Sequence, residues 1–359
     1  MKKVVLGMSG GVDSSVCAAL LKERGYDVIG LFMRNWHEEN DDGICAAEQD
    51  FSDVKAVCAC LNIPYYSVDL SREYQQRVFK IFVEEYKAGR TPNPDVLCNK
   101  EIKFDAFLKA AKTAGADYVA TGHYAAITNA GGKIWLCRSK DEGKDQTYFL
   151  NQLSAAQLQR VLFPLGDLTK DEVRATAKKY GLPTAAKKDS TGVCFIGERN
   201  FRQFLAQYIP MKRGRILTLE GKQVGEHEGV FYYTVGQRKG LGIGGGHGER
   251  GEPWFVVKKD VAENVLYVAE GDSPVLYSGG LVTDGFNFIT QTPRQLQFRC
   301  TCRIRHRGPL APCTAVVQKG GVKVTFDEPQ RGVAAGQYAV LYDGDLVLGG
   351  GCIAGGEAT

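Results

Sequence analysis

The chain has 359 residues, 44% of them apolar and 24% charged, with a formal net charge of +4. That length suits two or three domains, and the composition is that of an ordinary globular chain rather than a disordered or fibrous one. Apolar runs fall short of the roughly 20 residues a membrane helix needs, and the opening MKKVVLG runs into a glycine turn instead of a cleavable leader; a cytoplasmic protein is expected.

The first part alternates strand and helix. Val4–Leu6 reads as a buried parallel strand, and the helix that follows, from Ser14 to Arg24, stops before Gly25. Further strands are expected at Asp27–Met33, Pro64–Val68 and Tyr118–Thr121, with helices at 53–61, 72–87 and 100–114 between them. Such alternation predicts a doubly wound parallel sheet, with ligands outside the carboxyl ends of its strands. Tyr124–Ser139 reads as a hairpin turning at 129–132, and two S/T-x-x-Q/E boxes, at Ser154 and Thr169, open helices. Lys187–Gly197 is expected as a loop, and Phe201–Ile209 as a last helix. From Gly214 the chain is rich in Gly, Val, Tyr and Thr. Short antiparallel strands are expected from Gln295 onward, with Asp343–Gly344 as a tight turn. The reading is α/β overall: residues 1–204 as a nucleotide-binding domain, 205–275 as a small β-rich connector, and 276–359 as a β-barrel.

The most telling stretch is Gly7, Met8, Ser9, Gly10, Gly11, Val12, Asp13, Ser14 on the first strand-to-helix turn. Adjacent glycines let backbone N–H groups close on an anion at a helix start, and serine hydroxyls add donors. No G-x-x-x-x-G-K-[ST] string occurs, so the lysine of a Walker-type loop is missing. Asp13 stands in its place, and a carboxylate beside phosphates suggests a bridging Mg²⁺. Eleven cysteines form no C-x-x-C pair, and in a reduced compartment neither a disulfide framework nor a zinc site is expected. Cys58 and Cys60 read as core residues. Cys98 follows Pro92 and Pro94, which stiffen an extended backbone; a helix starting at Asn99 or Lys100 would put its thiol at a helix N-terminus and favour the thiolate. Asp95 is near enough to move a proton. Cys194 sits in a glycine-containing loop after Lys187 and Lys188. On chemistry alone each cysteine is more often a small buried apolar residue than a nucleophile.

Eight strings appear together and in order: SGGVDSS, GLFMRNW, TPNPDVLCNKEIKF, ATGHYA, KDQTYFL, DSTGVCFIG, YYTVGQRKGLGIG and LGGGCI. The first resembles the signature of the PP-loop ATP pyrophosphatases. The whole set resembles the bacterial tRNA-specific 2-thiouridylase family, essentially end to end. That resemblance implies an enzyme that uses ATP, with Mg²⁺, to adenylate the C2 oxygen of the wobble uridine in tRNA and then replaces that oxygen with sulfur. It implies that Gly7 to Ser14 hold the phosphates and that the backbone at Met33 and Gly122 brackets adenine and ribose. Cys194 would carry a persulfide from a cysteine desulfurase or sulfur-relay protein. Cys98 would be the partner thiol that releases sulfide or assists attack, the two then forming a disulfide. Asp95 would be the acid/base. Asn93, Pro94 and Asp95 would meet a flipped base, with His123 stacking on it or merely filling a strand end. Lys144, Asp145, Gln146, Arg303, Ile304 and Gln337 would touch the anticodon stem-loop. A monomer is expected. Two other readings stand beside this one: a PP-loop enzyme with an amine nucleophile, and a tRNA-binding protein with a dead nucleotide site.

Overall fold

A computed structural model of the chain describes residues 1–36, 46–189, 201–244 and 251–357. Cys194, with the STGVCFIG string past Asp189, lies outside the described residues. The first half holds strands β1 (Lys3–Met8), β2 (Asp27–Arg34), β3 (Tyr65–Asp69), β4 (Tyr118–Ala120), the hairpin β5 (Ala126–Ala130) and β6 (Lys133–Cys137), and the short β7 (Val161–Leu162). Five of these form a parallel sheet in the order β3-β2-β1-β4-β7. The chain works outward from β1 to β3 and then returns to the other side of β1 at β4, so the topological switch lies between β1 and β4. Ligands of such sheets bind in that crevice. Helices α1 (Val12–Glu23) and α2 (Ala46–Leu61) follow β1 and β2. α1 ends in a reciprocal pair of bonds, Tyr26 N–H to Leu21 O and Gly25 N–H to Lys22 O, with Gly25 at φ +80°. That left-handed position is why a glycine stands there.

A second sheet has the order β10-β11-β8-β9, from β8 (Gly214–Thr218), β9 (Gln223–His227), β10 (Trp254–Asp260) and β11 (Val265–Glu270). Its inward residues Ile216, Val256 and Val268, with Val230 of the turn after β9, share one apolar core with Phe82, Tyr86 and Cys98 of the first part. The last strands are β12 (Tyr277–Phe288), β13 (Gln297–Arg303), β14 (Ala311–Gln318), β15 (Gly321–Arg331), β16 (Tyr338–Asp343) and β17 (Leu346–Glu357). They run β12-β15-β14-β13-β16-β17, and β12 also pairs with β17, which closes a six-stranded barrel. The β5–β6 hairpin joins the same sheet, through Cys137 opposite Leu346.

The α/β fold with its terminal barrel matches the reading from sequence; several details differ. The barrel opens on β12, which the expected strand set lacks; its YSGG and DG glycines hid a twelve-residue strand. The helix expected at 100–114 begins at Pro94 and runs to Thr113, with a π-helical stretch at Asn99–Ala106. Pro94 is therefore the first residue of a helix, where its fixed φ and missing N–H cost nothing, and not part of an extended run. Cys58 is buried as expected, but Cys60 is exposed, its thiol toward the Tyr180 and Gly181 carbonyls.

Candidate active site

The glycine loop is tied by its own hydroxyls. Ser14 Oγ accepts from Ser9 N at 3.2 Å and donates to Gly11 O at 3.2 Å, and Ser15 Oγ donates to Gly11 O at 2.8 Å. Gly10 has φ +74°, and a Cβ there would lie 2.5 Å from the carbonyl oxygen of Asp50. Only a glycine fits between the loop and the start of α2. Three residues of the expected nucleotide set converge from neighbouring strand ends. A Cβ on Gly7 would touch the Met33 methyl at 3.4 Å, and one on Gly122 would stand 3.1 Å from Ser14 N. Val12 and Met8 are buried beneath the loop. The cradle suits a phosphate: a helix start, close backbone and hydroxyls.

Asp13 is already engaged. Lys170 Nζ lies 2.7 and 2.9 Å from its two carboxylate oxygens, and Tyr124 donates its hydroxyl at 2.9 Å. Among the described residues no group of three or more His, Cys, Asp or Glu could hold a metal. Asp13 is thus paired with a cation of the chain itself. Lys170 is the residue that sequence reasoning missed. It belongs to the box Thr169–Glu172, both of whose reciprocal bonds form. A lysine in the first turn of a helix, where the dipole disfavours a cation, was the signal.

Asn93 caps the helical run 94–113, its Oδ1 accepting from Val96 N at 3.3 Å. Asp95 stands in the first turn, and Cys98, 2% exposed, one turn further in. The thiol is thus inside a helix, not at its start, and the helix-end argument for a thiolate does not apply to it. Burial raises the Asp95 carboxyl above its usual range, and the Lys103 ammonium only partly offsets this. The same Lys103 acts on His123, whose pKa is driven well down, chiefly by burial. His123 Nδ1 bonds Thr121 Oγ1 at 2.8 Å, and its ring packs 5.8 Å from Phe104 and 6.1 Å from Phe163. It is enclosed, as a strand-end histidine would be. Gly122 abuts the glycine loop and His123 follows it, and the Lys103 ammonium is felt by both His123 and Asp95.

The remaining expected contacts divide. Asn93 Nδ2 reaches Gln337 Oε1 at 3.5 Å, across 244 positions, and Gln337 Nε2 donates to Thr91 O at 2.9 Å. The structure brings these two together where the barrel meets the helix start. Pro94 is buried there. Asp145 and Arg303 also meet, but in the interior. Nη1 lies 2.8 Å from Oδ2, the two side chains are 0% and 7% exposed, and Thr147 Oγ1 bonds the same carboxylate. Ile304 is buried beside them, its carbonyl accepting from Tyr148 OH. Gln146 clamps Tyr124, accepting its N–H at 2.9 Å. Lys144 bonds Asp189 at 2.8 Å. Asp145 and Arg303 thus spend their charges on each other, and Gln146 and Lys144 hold neighbouring segments.

A parallel sheet with a hydroxyl-laced glycine loop at its switch point, joined to a closed barrel, defines a PP-loop type of α/β nucleotide-binding protein. Family models described as "tRNA methyl transferase HUP domain", "tRNA methyl transferase PRC-barrel domain" and "Aminomethyltransferase beta-barrel domain" match residues 2–198, 202–270 and 278–353. Proteins named tRNA-specific 2-thiouridylase MnmA from Streptococcus pyogenes serotypes M2 and M49 are each 56% identical over 353 residues, 98% of this chain and 95% of theirs. The chain belongs to the tRNA-specific 2-thiouridylase family. A solved U34-tRNA thiolase, NcsA from Methanococcus maripaludis, superimposes at 18% identity over 58% of this chain and 65% of that one; its TM-score of 0.36 is too low to carry an argument.

Proposed function

We propose that this chain is a tRNA-uridine 2-sulfurtransferase: it activates the C2 oxygen of the wobble uridine with ATP and replaces it with sulfur, releasing AMP and pyrophosphate. The observation that carries this reading is the glycine loop at the sheet's switch point, where Gly7 abuts Met33 and Gly122 abuts Ser14, in a chain 56% identical to proteins named tRNA-specific 2-thiouridylase. ATP supplies an adenylate that turns a poor leaving oxygen into a good one. The backbone N–H groups of 9–14 and the Ser9 and Ser14 hydroxyls receive the phosphates, while Met33 and Gly122 flank the rest of the nucleotide. Mg²⁺ would enter with the triphosphate as its counter-ion, with Asp13 the carboxylate nearest the phosphates. The raised carboxyl of Asp95 holds or takes a proton at the reacting base, which is flipped out of the anticodon loop against Asn93 and Pro94 at a cost of a few kcal/mol.

Sulfur arrives as a persulfide on Cys194, delivered by a separate donor protein. Attack by Cys98 on the persulfide's bridging sulfur would free sulfide and leave a Cys98–Cys194 disulfide, which a thiol reductant reopens. Cys194 follows Asp189 by five residues, a reach of at most about 17 Å for extended chain. Asp189 is itself bonded to Lys170, the partner of Asp13. The family models carry a methyl-transferase description, whereas the relatives at 56% identity are named 2-thiouridylases, and the proposed sulfur transfer follows the latter. The chain acts as a monomer in the cytoplasm; no helix among the described residues is long and apolar enough to cross a membrane.

The test is nucleoside mass spectrometry of unmodified tRNA after incubation with ATP and a persulfide donor. The expected product is 2-thiouridine, lost in Cys194→Ser while tRNA-dependent AMP release persists. An added amine in place of sulfur would establish the rival PP-loop chemistry instead.

A further inference from the structure

Two ionic tethers run from the segment preceding Cys194 to opposite sides of the glycine loop. Lys187 Nζ binds Asp50 at 2.8 Å and Asp53 at 2.5 Å, and Asp50 is the residue against which Gly10 packs. On the other side Asp189 receives Lys144 at 2.8 Å, Arg174 at 2.8 Å and Lys170 at 2.9 Å. Burial tends to raise its carboxyl, but hydrogen bonds from Lys144 and Lys170 outweigh this and leave its pKa at about 2.

Lys170 is shared. Its ammonium holds Asp189 and both oxygens of Asp13, its side chain is 11% exposed, and the Tyr124 ring lies 5.8 Å away. It stands in the first turn of the helix Lys170–Lys179, the end that repels a cation. Its backbone N–H is fixed by Asp141 Oδ2 at 2.8 Å. A nearly buried lysine, anchored at both ends and set against its own helix dipole, is costly unless its charge is used.

We propose that Lys170 is a positioning residue that supplies the cation missing from the glycine loop's own sequence. By holding Asp13 and Asp189 on one ammonium, it couples nucleotide binding to the setting of the segment that leads to Cys194. This rests on the ATP-dependent reading above. A triphosphate entering the loop meets Asp13 in the first turn of α1. Two like charges there repel unless Lys170 neutralises the carboxylate, and the same ammonium is contested by Asp189. Withdrawing Asp189 therefore frees Lys170 for the phosphates; withdrawing Lys170 leaves Asp13 to oppose them.

The experiment is equilibrium binding of a non-hydrolysable ATP analogue to the full chain, without tRNA, with each variant's thermal midpoint recorded. Lys170→Met is expected to weaken binding about ten-fold or more, the scale of one charge-assisted hydrogen bond, and Lys170→Arg to retain most of it. Asp189→Asn is expected to tighten binding several-fold. The double variant, which no longer leaves Asp189 charged without its lysine, is expected to regain thermal stability but to bind as weakly as Lys170→Met. Unchanged binding in Lys170→Met, or recovery of both stability and affinity in the double variant, overturns the proposal. A wild-type chain that binds no analogue would instead overturn the ATP-dependent reading itself.

Discussion

A carboxyl that is to exchange a proton near neutral pH must ionise less readily than it does in water, and burial does this at Asp95. The folded chain binds that proton more tightly than the unfolded chain does. Asp95 therefore favours folding below the ordinary carboxylate pKa of about 3.9, and that contribution is lost as pH rises through its higher folded value. Asp95→Asn has no such dependence. Its thermal midpoint should exceed that of the native chain at pH 7, the gain should shrink as the pH is lowered toward 4, and sulfur transfer should fall sharply. A midpoint difference that does not vary with pH would show that burial is not what strains this carboxyl. The expectation placed on Asp95 came from the string around it. The setting of Cys98 was not: two prolines signalled extended chain, and Asn93 as a cap was read only as a base contact. Side chains that serve as both cap and contact look identical in sequence.

At the scale of elements, the loop and its glycines were legible because a φ of +74° leaves few alternatives at Gly10. Gly10→Ala would drive a Cβ into the Asp50 backbone, 2.5 Å from its carbonyl oxygen. Binding of an ATP analogue should fall at least about ten-fold while the barrel, remote from the loop, stays folded; spectroscopy and titration together check this. Both capping boxes were also legible, since each is a local four-residue pattern. The Arg303–Asp145 pair was not, because its partners are 158 residues apart and each alone looked like a charge for RNA. Its burial makes it a structural joint between the segment after β6 and the end of β13. Arg303→Leu should cost about 3–5 kcal/mol, since it strands a buried carboxylate. Pairing it with Asp145→Asn should recover part of that loss. Urea unfolding of the three variants measures both effects. An Arg303→Leu chain of native stability but weak tRNA binding would return Arg303 to the role of an RNA contact.

Across the whole molecule, the terminal barrel does more than extend the surface: it holds the start of the helix that carries Asp95 and Cys98. Thr91 N–H donates to Ala335 O at 2.8 Å, Gln337 Nε2 donates to Thr91 O at 2.9 Å, and Asn93 reaches Gln337. Tyr148 OH lies 3.4 Å from the same Gln337 oxygen and 3.1 Å from the carbonyl of Tyr338. This seam depends on Gly336, which has φ +91° and packs so closely that a Cβ would lie 2.8 Å from Thr91 N. Both partners there are backbone, so neither can swing aside. Gly336→Ala must push the barrel loop off residues 91–93 and loosen the cap at Asn93 without touching the glycine loop. Stability should drop by about 1–3 kcal/mol, the usual cost of overpacking. Affinity for an ATP analogue should hold, while tRNA-dependent AMP release falls about ten-fold or more if Asp95 and Cys98 act as proposed, because misplaced reacting groups lose far more rate than binding. If nucleotide affinity falls in parallel, the barrel is bracing the first sheet as a whole. If neither changes, the seam is incidental and the helix from Pro94 is set by its own cap alone.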